Sequence, residues 1–389
     1  MKKTAYIGCL GMIGVITTEF GVIGILPQIA DYYSISIDQA GWLLSAFALV
    51  IATTGPFMTL FTSGINRKKI MMGSIALFLF TGVISTLSPP FWLLMTVRIL
   101  PAFLQPVYIS TAIAAAVSNV DKKKEHQYMG IVLGGIAISM VTTVPFATYI
   151  ASIYQWQGSF VVQTIVTIIA LVAIFKGLPS MPVKEKKSYG NQLRILTKPD
   201  FVISIFMNFL MIAAWFSTYS YFADFLGKVK GMNEGKISSM MLLFGITGIA
   251  GNWLAGKLLS KSVPLTTAAF LLGTMLIPFG LYYSGSNATQ TIVCIAVWGF
   301  LYAPCFLTAA AYLISAAPDA LEFANSLAVS SGNLGVALGT AVSGWFIAHQ
   351  GIQISPWVGM AFGFASLLMI LLRSQIEARQ KKQVTLCNS

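Results

Sequence analysis

The sequence is poor in charge, and poorest in acid. In 389 residues there are 12 Asp and Glu, 2 His and 4 Cys, and charged side chains make up 9% of the chain against roughly 25% in an ordinary soluble domain. A water-soluble chain of this length needs far more polar surface to cover its core, so a soluble globular fold is excluded. The two histidines stand apart, His126 in a basic loop and His349 at a helix end. No apolar segment holds a pair of acids. A membrane-embedded enzyme would need such a cluster at depth, so catalysis, a metal and a cofactor are not expected. Cys9, Cys294 and Cys305 lie inside apolar runs and Cys387 in a polar tail, which is neither a disulfide framework nor a ligand spacing.

What the chain has in abundance is hydrocarbon, at 56% of its residues. Apolar runs long enough to span a bilayer recur at 6–26, 41–61, 70–87, 91–117, 128–150 and 158–178. After a polar stretch they recur at 201–223, 237–259, 265–283, 289–315, 323–348 and 356–372. The expected fold is an all-α membrane protein of twelve transmembrane helices in two pseudo-symmetric six-helix bundles. The first would occupy 1–178 and the second 200–389, joined by a Pro- and Lys-rich cytoplasmic linker at 179–199. Lys2 and Lys3 precede a run that resembles a signal peptide, but the run is about twenty residues long and lacks a small-x-small cleavage site. It reads as the first span. A shift from Phe103-Leu104 to Phe300-Leu301 also pairs Thr111 with Thr308, Gly135 with Gly332 and Ser63 with Ser260, as an internal repeat would.

The formal charge of +12 signals topology and not nucleic acid, because the basic residues cluster in short loops between spans. With both termini in the cytoplasm, the 24 Lys and Arg divide into Arg98 within a span, Lys228, Lys230 and Lys236 outside, and twenty inside. Arg373 is counted among the inside charges. That asymmetry is the positive-inside pattern of a multi-pass protein of the inner membrane, broken locally by the outer loop between spans seven and eight.

Glu19 in span one and Arg98 in span four are the charged residues deep in the predicted spans. Ionisable groups at that depth are costly and point to function. Each lies seven residues from the outer end of its span, roughly 10 Å in at 1.5 Å per residue, so they can share a layer. Apposed, they form a proton-coupling device or a fixed structural ion pair. Arg98, Ala102 and Gln105 line one helix face, loosened by Pro101 and Pro106. Further cavity candidates are Phe20, Tyr108, Asn208, Trp215, Tyr219, Trp298, Tyr302 and Asn333, polar or aromatic groups suited to an amphipathic solute. Asn333 is equally compatible with an interhelical hydrogen bond. Tyr221 is expected in the interfacial belt. Gly332, Gly335 and Gly339 are expected to serve helix packing.

Several motifs resemble those of the major facilitator superfamily, and within it the drug:proton antiporter-1 family near the bacterial sugar-efflux and arabinose-efflux transporters. Thr18-Glu19-Phe20 followed by Gly24-Ile25-Leu26-Pro27 is similar to that family's first-span signature, and Arg98 in Leu94-Met95-Thr96-Val97-Arg98 to its motif B arginine. Ser63-Gly64-Ile65-Asn66-Arg67-Lys68-Lys69 resembles motif A, the basic gating loop, with Ser63 where the family usually has Asp and Asn66 where it has Gly. Gly256 to Lys261 is the corresponding loop of the second half. Motif C is represented by Gly130, Gly134, Gly135 and Pro145, with Thr142, Thr143 and Ala147 where glycine is common. The resemblance implies that Glu19 and Arg98 serve proton coupling, that Arg67, Lys68 and Lys69 belong to the gate, and that substrate sits in a central cavity. The expected activity is proton-coupled efflux of a small sugar-like or amphipathic drug-like molecule by alternating access. Facilitated or proton-linked uptake is the alternative, and a membrane enzyme or scaffold a remote one. Expected partners are a small-molecule substrate, protons and the lipid bilayer, with a monomer as the working unit.

Overall fold

Long apolar runs have no water to satisfy their backbone, so in lipid they close their hydrogen bonds within helices. A computed structural model describes residues 2–118, 125–183, 190–285, 287–317 and 321–387. Among them every regular element is helical. The long helices are α1 (Lys2–Tyr33), α2 (Ile37–Thr62), α3 (Arg67–Thr86), α4 (Phe91–Val117), α5 (Tyr128–Tyr154), α6 (Gln157–Gly177), α7 (Pro199–Lys228), α8 (Glu234–Leu259), α9 (Val263–Tyr283) and α10 (Ala288–Ile314). They are completed by α11 (Leu321–Gln350) and α12 (Ile352–Ala378). All but α11 carry a window apolar enough to cross a membrane; the Asn, Ser and Gly of α11 dilute its hydropathy, while its 30 residues suffice in length. Of the basic residues expected inside, Lys122, Lys123, Lys124, Lys184, Lys186 and Lys187 lie outside the described residues, as do the side chains of His126, Arg379, Lys381 and Lys382.

Five helices are interrupted. In α1 the helix stops at Phe20 and resumes at Leu26 after a 3-10 turn, Ile23–Ile25. Pro27 follows; its ring crowds the carbonyl four residues back and it has no N–H to give. In α4 a 3-10 turn at Leu100–Phe103 separates Phe91–Ile99 from Gln105–Val117, and Pro101 and Pro106 supply the same cause. α5 breaks at Thr142, three residues before Pro145, and α10 between Tyr302 and Pro304. α7 breaks between Tyr219 and Phe222 with neither Pro nor Gly at the break, and its sequence gives no local reason for it.

By packing, the chain divides into two units: Met1–Ser188 with Ser220–Gly245, and Tyr189–Tyr219 with Ile246–Ser389. Within the first, α1 lies along α5 and α6, and α3 along α6. Within the second, α7 lies along α11 and α12. The first helix of each half thus holds the fifth and sixth of its own half, which is the pairing a structural repeat produces. Close approach explains two glycines. A Cβ at Gly135 would stand 2.6 Å from the Cys9 carbonyl oxygen, and one at Gly335 would stand 2.5 Å from that of Phe209. Segment 220–245 follows the linker in the chain yet packs with the first unit. There Tyr221 is 1% exposed with its hydroxyl closing on Gly41, which corrects its expected place in the interfacial belt: its ring fills a protein contact instead of facing lipid.

Candidate functional site

The interruptions of α1 and α4 bring three polar side chains together in the first unit. Glu19 is next to last in the first segment of α1, Arg98 next to last in the first segment of α4, and Gln105 opens the second segment of α4. All three are buried, at 3%, 2% and 2% exposure. Gln105 Nε2 donates to Glu19 Oε2 at 2.5 Å. Arg98 Nη2 donates at 3.0 Å to the carbonyl of Thr18, the residue before the acid, and its guanidinium lies 5.3 Å from the Phe160 ring centroid and 6.0 Å from that of Phe47. Glu19 and Arg98 therefore share a layer, as their counted depths predict. The hydrogen bond to the carboxylate, however, comes from the amide of Gln105, and the guanidinium is held by a backbone carbonyl and two aromatic faces.

Two buried polar atoms of this group have no hydrogen-bond partner among the described residues: Arg98 Nε and Gln105 Oε1. An unsatisfied buried donor or acceptor costs about 1–3 kcal/mol. Around them runs a polar seam. Gln163 Nε2 donates to Ser159 Oγ at 3.2 Å, and Ser159 Oγ to the Gly21 carbonyl at 3.1 Å. Thr17, Ser139 and Thr143 exchange hydroxyl hydrogen bonds between α1 and α5. Gln163 is 1% exposed, and sequence reading passed over it; an amide inside an apolar run was its only signal. Tyr108 donates to the Gly8 carbonyl at 3.1 Å and its ring occupies the space above Gly11, so it ties α4 to α1. Phe20 is buried beside Glu19.

In the second unit the α7 and α10 interruptions carry an aromatic cluster. Tyr302 is its hub, with ring centroids 4.7 Å from Tyr219, 6.1 Å from Trp215, 6.3 Å from Trp298 and 6.4 Å from Phe216. Trp215 Nε1 donates to Thr274 Oγ1 at 2.9 Å. The amide of Asn208 is taken up by α11, through the Ala328 carbonyl at 3.0 Å and Ser331 Oγ at 2.8 Å. Asn333 donates to its own helix at Val329, while its Oδ1 has no partner among the described residues.

Arg373, counted among the inside charges, is 5% exposed. It donates to Ser204 Oγ, the Tyr312 carbonyl, Ser315 Oγ and Glu377 Oε1 at 3.0, 2.6, 2.9 and 2.7 Å, fastening α12 to α7 and α10. A guanidinium so fully bonded is a structural clamp. In the motif A loop, Asn66 caps α3 by accepting from Lys68 N at 3.0 Å, and Arg67 N donates to the Met181 carbonyl at 3.0 Å, docking the start of the linker. Lys68 Nζ donates to the Phe175 carbonyl at 2.8 Å, and Lys69 is exposed.

The family profile described as Major Facilitator Superfamily matches residues 8–321. The chain is 28% identical over 384 residues to the inner membrane transport protein YdhP of Escherichia coli strain K12, covering 98% of this chain and 97% of that protein. It is 26% identical over 357 residues to a probable sugar efflux transporter of Helicobacter pylori, covering 91% and 90%. Among solved structures it resembles the nucleoside transporter NupG (TM-score 0.74, 13% identity, 96% and 99% covered). It also resembles a bacterial homologue of the human lysosomal transporter Spinster (TM-score 0.73, 16% identity, 95% and 96% covered).

Proposed function

Since the chain belongs to the major facilitator superfamily and is a multi-span membrane transporter, we propose that it exchanges protons for a small sugar-like or amphipathic solute, exporting the solute by alternating access. The observation that carries this reading is Glu19: a carboxylate 3% exposed at a helix interruption, bonded by the neutral amide of Gln105 at 2.5 Å and lying in the layer of Arg98. A carboxylate fixed in a bidentate ion pair has little reason to take up a proton. One held by an amide, with the cation bonded elsewhere, can gain and lose a proton as the local charge and water access change. Arg98, with an unsatisfied Nε, is the group whose approach or withdrawal sets that balance.

The aromatic cluster around Tyr302 supplies flat apolar faces tipped with hydroxyl and indole groups, the combination that holds the face of a sugar ring or an amphipathic solute. The sugar efflux transporter among the relatives is consistent with that class. The protein would act as a monomer in the inner membrane, with both termini cytoplasmic.

The test uses purified protein in proteoliposomes with an imposed pH gradient. A panel of sugars and amphipathic amines is screened first for a rise in unfolding temperature, since a ligand of the folded state stabilises it. A solute that binds should then drive proton movement opposite to its own flux. Glu19→Gln should abolish gradient-driven flux while solute binding survives. Gradient-driven exchange by Glu19→Gln at the parental rate would defeat the proposal, and solute and protons moving in the same direction would convert it to proton-linked uptake.

A further inference from the structure

A groove of about 470 Å³ opens on the outside of the first unit between α3 and α6. Its walls are Met72, Gly73 and Ala76 on one side and Leu171, Val172 and Phe175 on the other, with Lys176 at one end. Phe175 is 61% and Val172 47% exposed, so the groove faces the hydrocarbon. A Cβ at Gly73 would meet nothing within 4 Å: the glycine deepens the groove without making a protein contact. An apolar groove on a lipid-facing surface offers dispersion contacts along its whole lining to a flexible chain of the bilayer.

The charge at its Lys176 end decides which chain. Lys68 Nζ donates to the Phe175 carbonyl at 2.8 Å, which occupies one of its three donors and leaves two directed elsewhere. Two ammonium groups, those of Lys68 and Lys176, thus stand at one end of an apolar groove, and segments 67–76 and 171–177 contain no acidic residue. Lysine stems can lie along apolar surface with their heads at the headgroup level.

We propose that this groove binds one anionic phospholipid of the leaflet facing the basic loops, with an acyl chain between α3 and α6 and its phosphate against Lys68 and Lys176. The site stands apart from Glu19 and does not depend on which solute is carried. It does place a lipid headgroup on Lys68 of the gating loop, so lipid charge and gate would be felt by one side chain.

Full-length protein is equilibrated in equimolar phosphatidylglycerol and phosphatidylcholine, delipidated stepwise, and the retained lipid counted by native mass spectrometry. The parent should keep phosphatidylglycerol in preference to phosphatidylcholine. Lys176→Gln should cut that preference by about fivefold, the attraction one lysine exerts on an anionic surface. Gly73→Leu, which the open space accommodates, should remove the tightly held lipid with all lysines in place, and Ala76→Leu one turn on should do the same. Lys257→Gln removes a charge from the corresponding loop of the second half, where it sits over Trp253, and should change nothing. Retention at the bulk ratio, an equal loss in Lys257→Gln, or undiminished retention in both Gly73→Leu and Ala76→Leu would each overturn the proposal.

Discussion

At the scale of the residue, the cost of burial was the legible signal. Glu19 and Arg98 stand out because an ionisable group in lipid is expensive, and counting along two spans was enough to put them in one layer. What counting could not supply was the partner. The hydrogen bond to Glu19 comes from Gln105, whose position depends on how the 3-10 turn at Leu100–Phe103 re-aims the second segment of α4. Arg373, at the end of an apolar run, reads only as a topology signal, and its second role as a buried clamp shows in the packing of α12 on α7 and α10. Gln105 and Tyr108, both candidates from sequence, lead to different expectations. A hydrogen bond to a charged group contributes about 1.5–3 kcal/mol, so Gln105→Leu is expected to slow proton-driven exchange about tenfold or more. Tyr108→Phe loses one bond to the Gly8 carbonyl and keeps the ring over Gly11. Exchange should hold at the parental rate, with the free energy of unfolding lowered by about 1 kcal/mol. Equal transport losses in the two variants would mean that Tyr108 belongs to the working site after all.

At the scale of the element, the spans were readable from hydropathy, but of the breaks only that of α4 was, since proline is an ambiguous sign: Pro56 and Pro278 lie inside unbroken helices. Pro27, Pro101, Pro145 and Pro304 each account for an interruption by ring crowding and a missing donor. The break in α7 at Tyr219 to Phe222 has no such mark, and the apolar run across it reads as one helix. Packing glycines were legible as a class but not one by one. Gly134 and Gly135 are adjacent in motif C, yet a Cβ at Gly135 would crowd Cys9 and Met12 while one at Gly134 meets nothing within 4 Å. Gly135→Leu should therefore push α5 off α1 and lower stability by roughly 1–3 kcal/mol or more. Gly134→Ala should be neutral or stabilising by up to about 1 kcal/mol, because alanine gives up less backbone freedom in a helix. Thermal unfolding of the two variants in the same detergent separates them. If the two midpoints fall together, the close α1–α5 approach is not what requires glycine.

At the scale of the whole molecule, charge decides orientation, and the one violation of the pattern has a local answer. Lys228, Lys230 and Lys236 put positive charge in a loop expected outside, against the rule that basic loops stay in. Lys228, however, lies 3.0 Å from Asp224, whose side chain is only 2% exposed. Its charge is committed to a buried carboxylate at the end of α7, so it contributes less to holding that loop in the cytoplasm than its count suggests. The basic loops at the other ends of the helices have many more charges with which to outvote the remaining two. Both termini are therefore expected on the cytoplasmic side. A green fluorescent protein fused after Ser389 should fluoresce, and alkaline phosphatase at the same place should be inactive. Phosphatase inserted at Gly231, where φ is +63° in an open turn, should be active. The same insertion in Lys228→Glu should remain active, because the variant takes positive charge away from the outer loop. An inactive phosphatase at Gly231 with an active one at the C-terminus would reverse the orientation and, with it, the side of the membrane on which the basic loop at Arg67 to Lys69 lies.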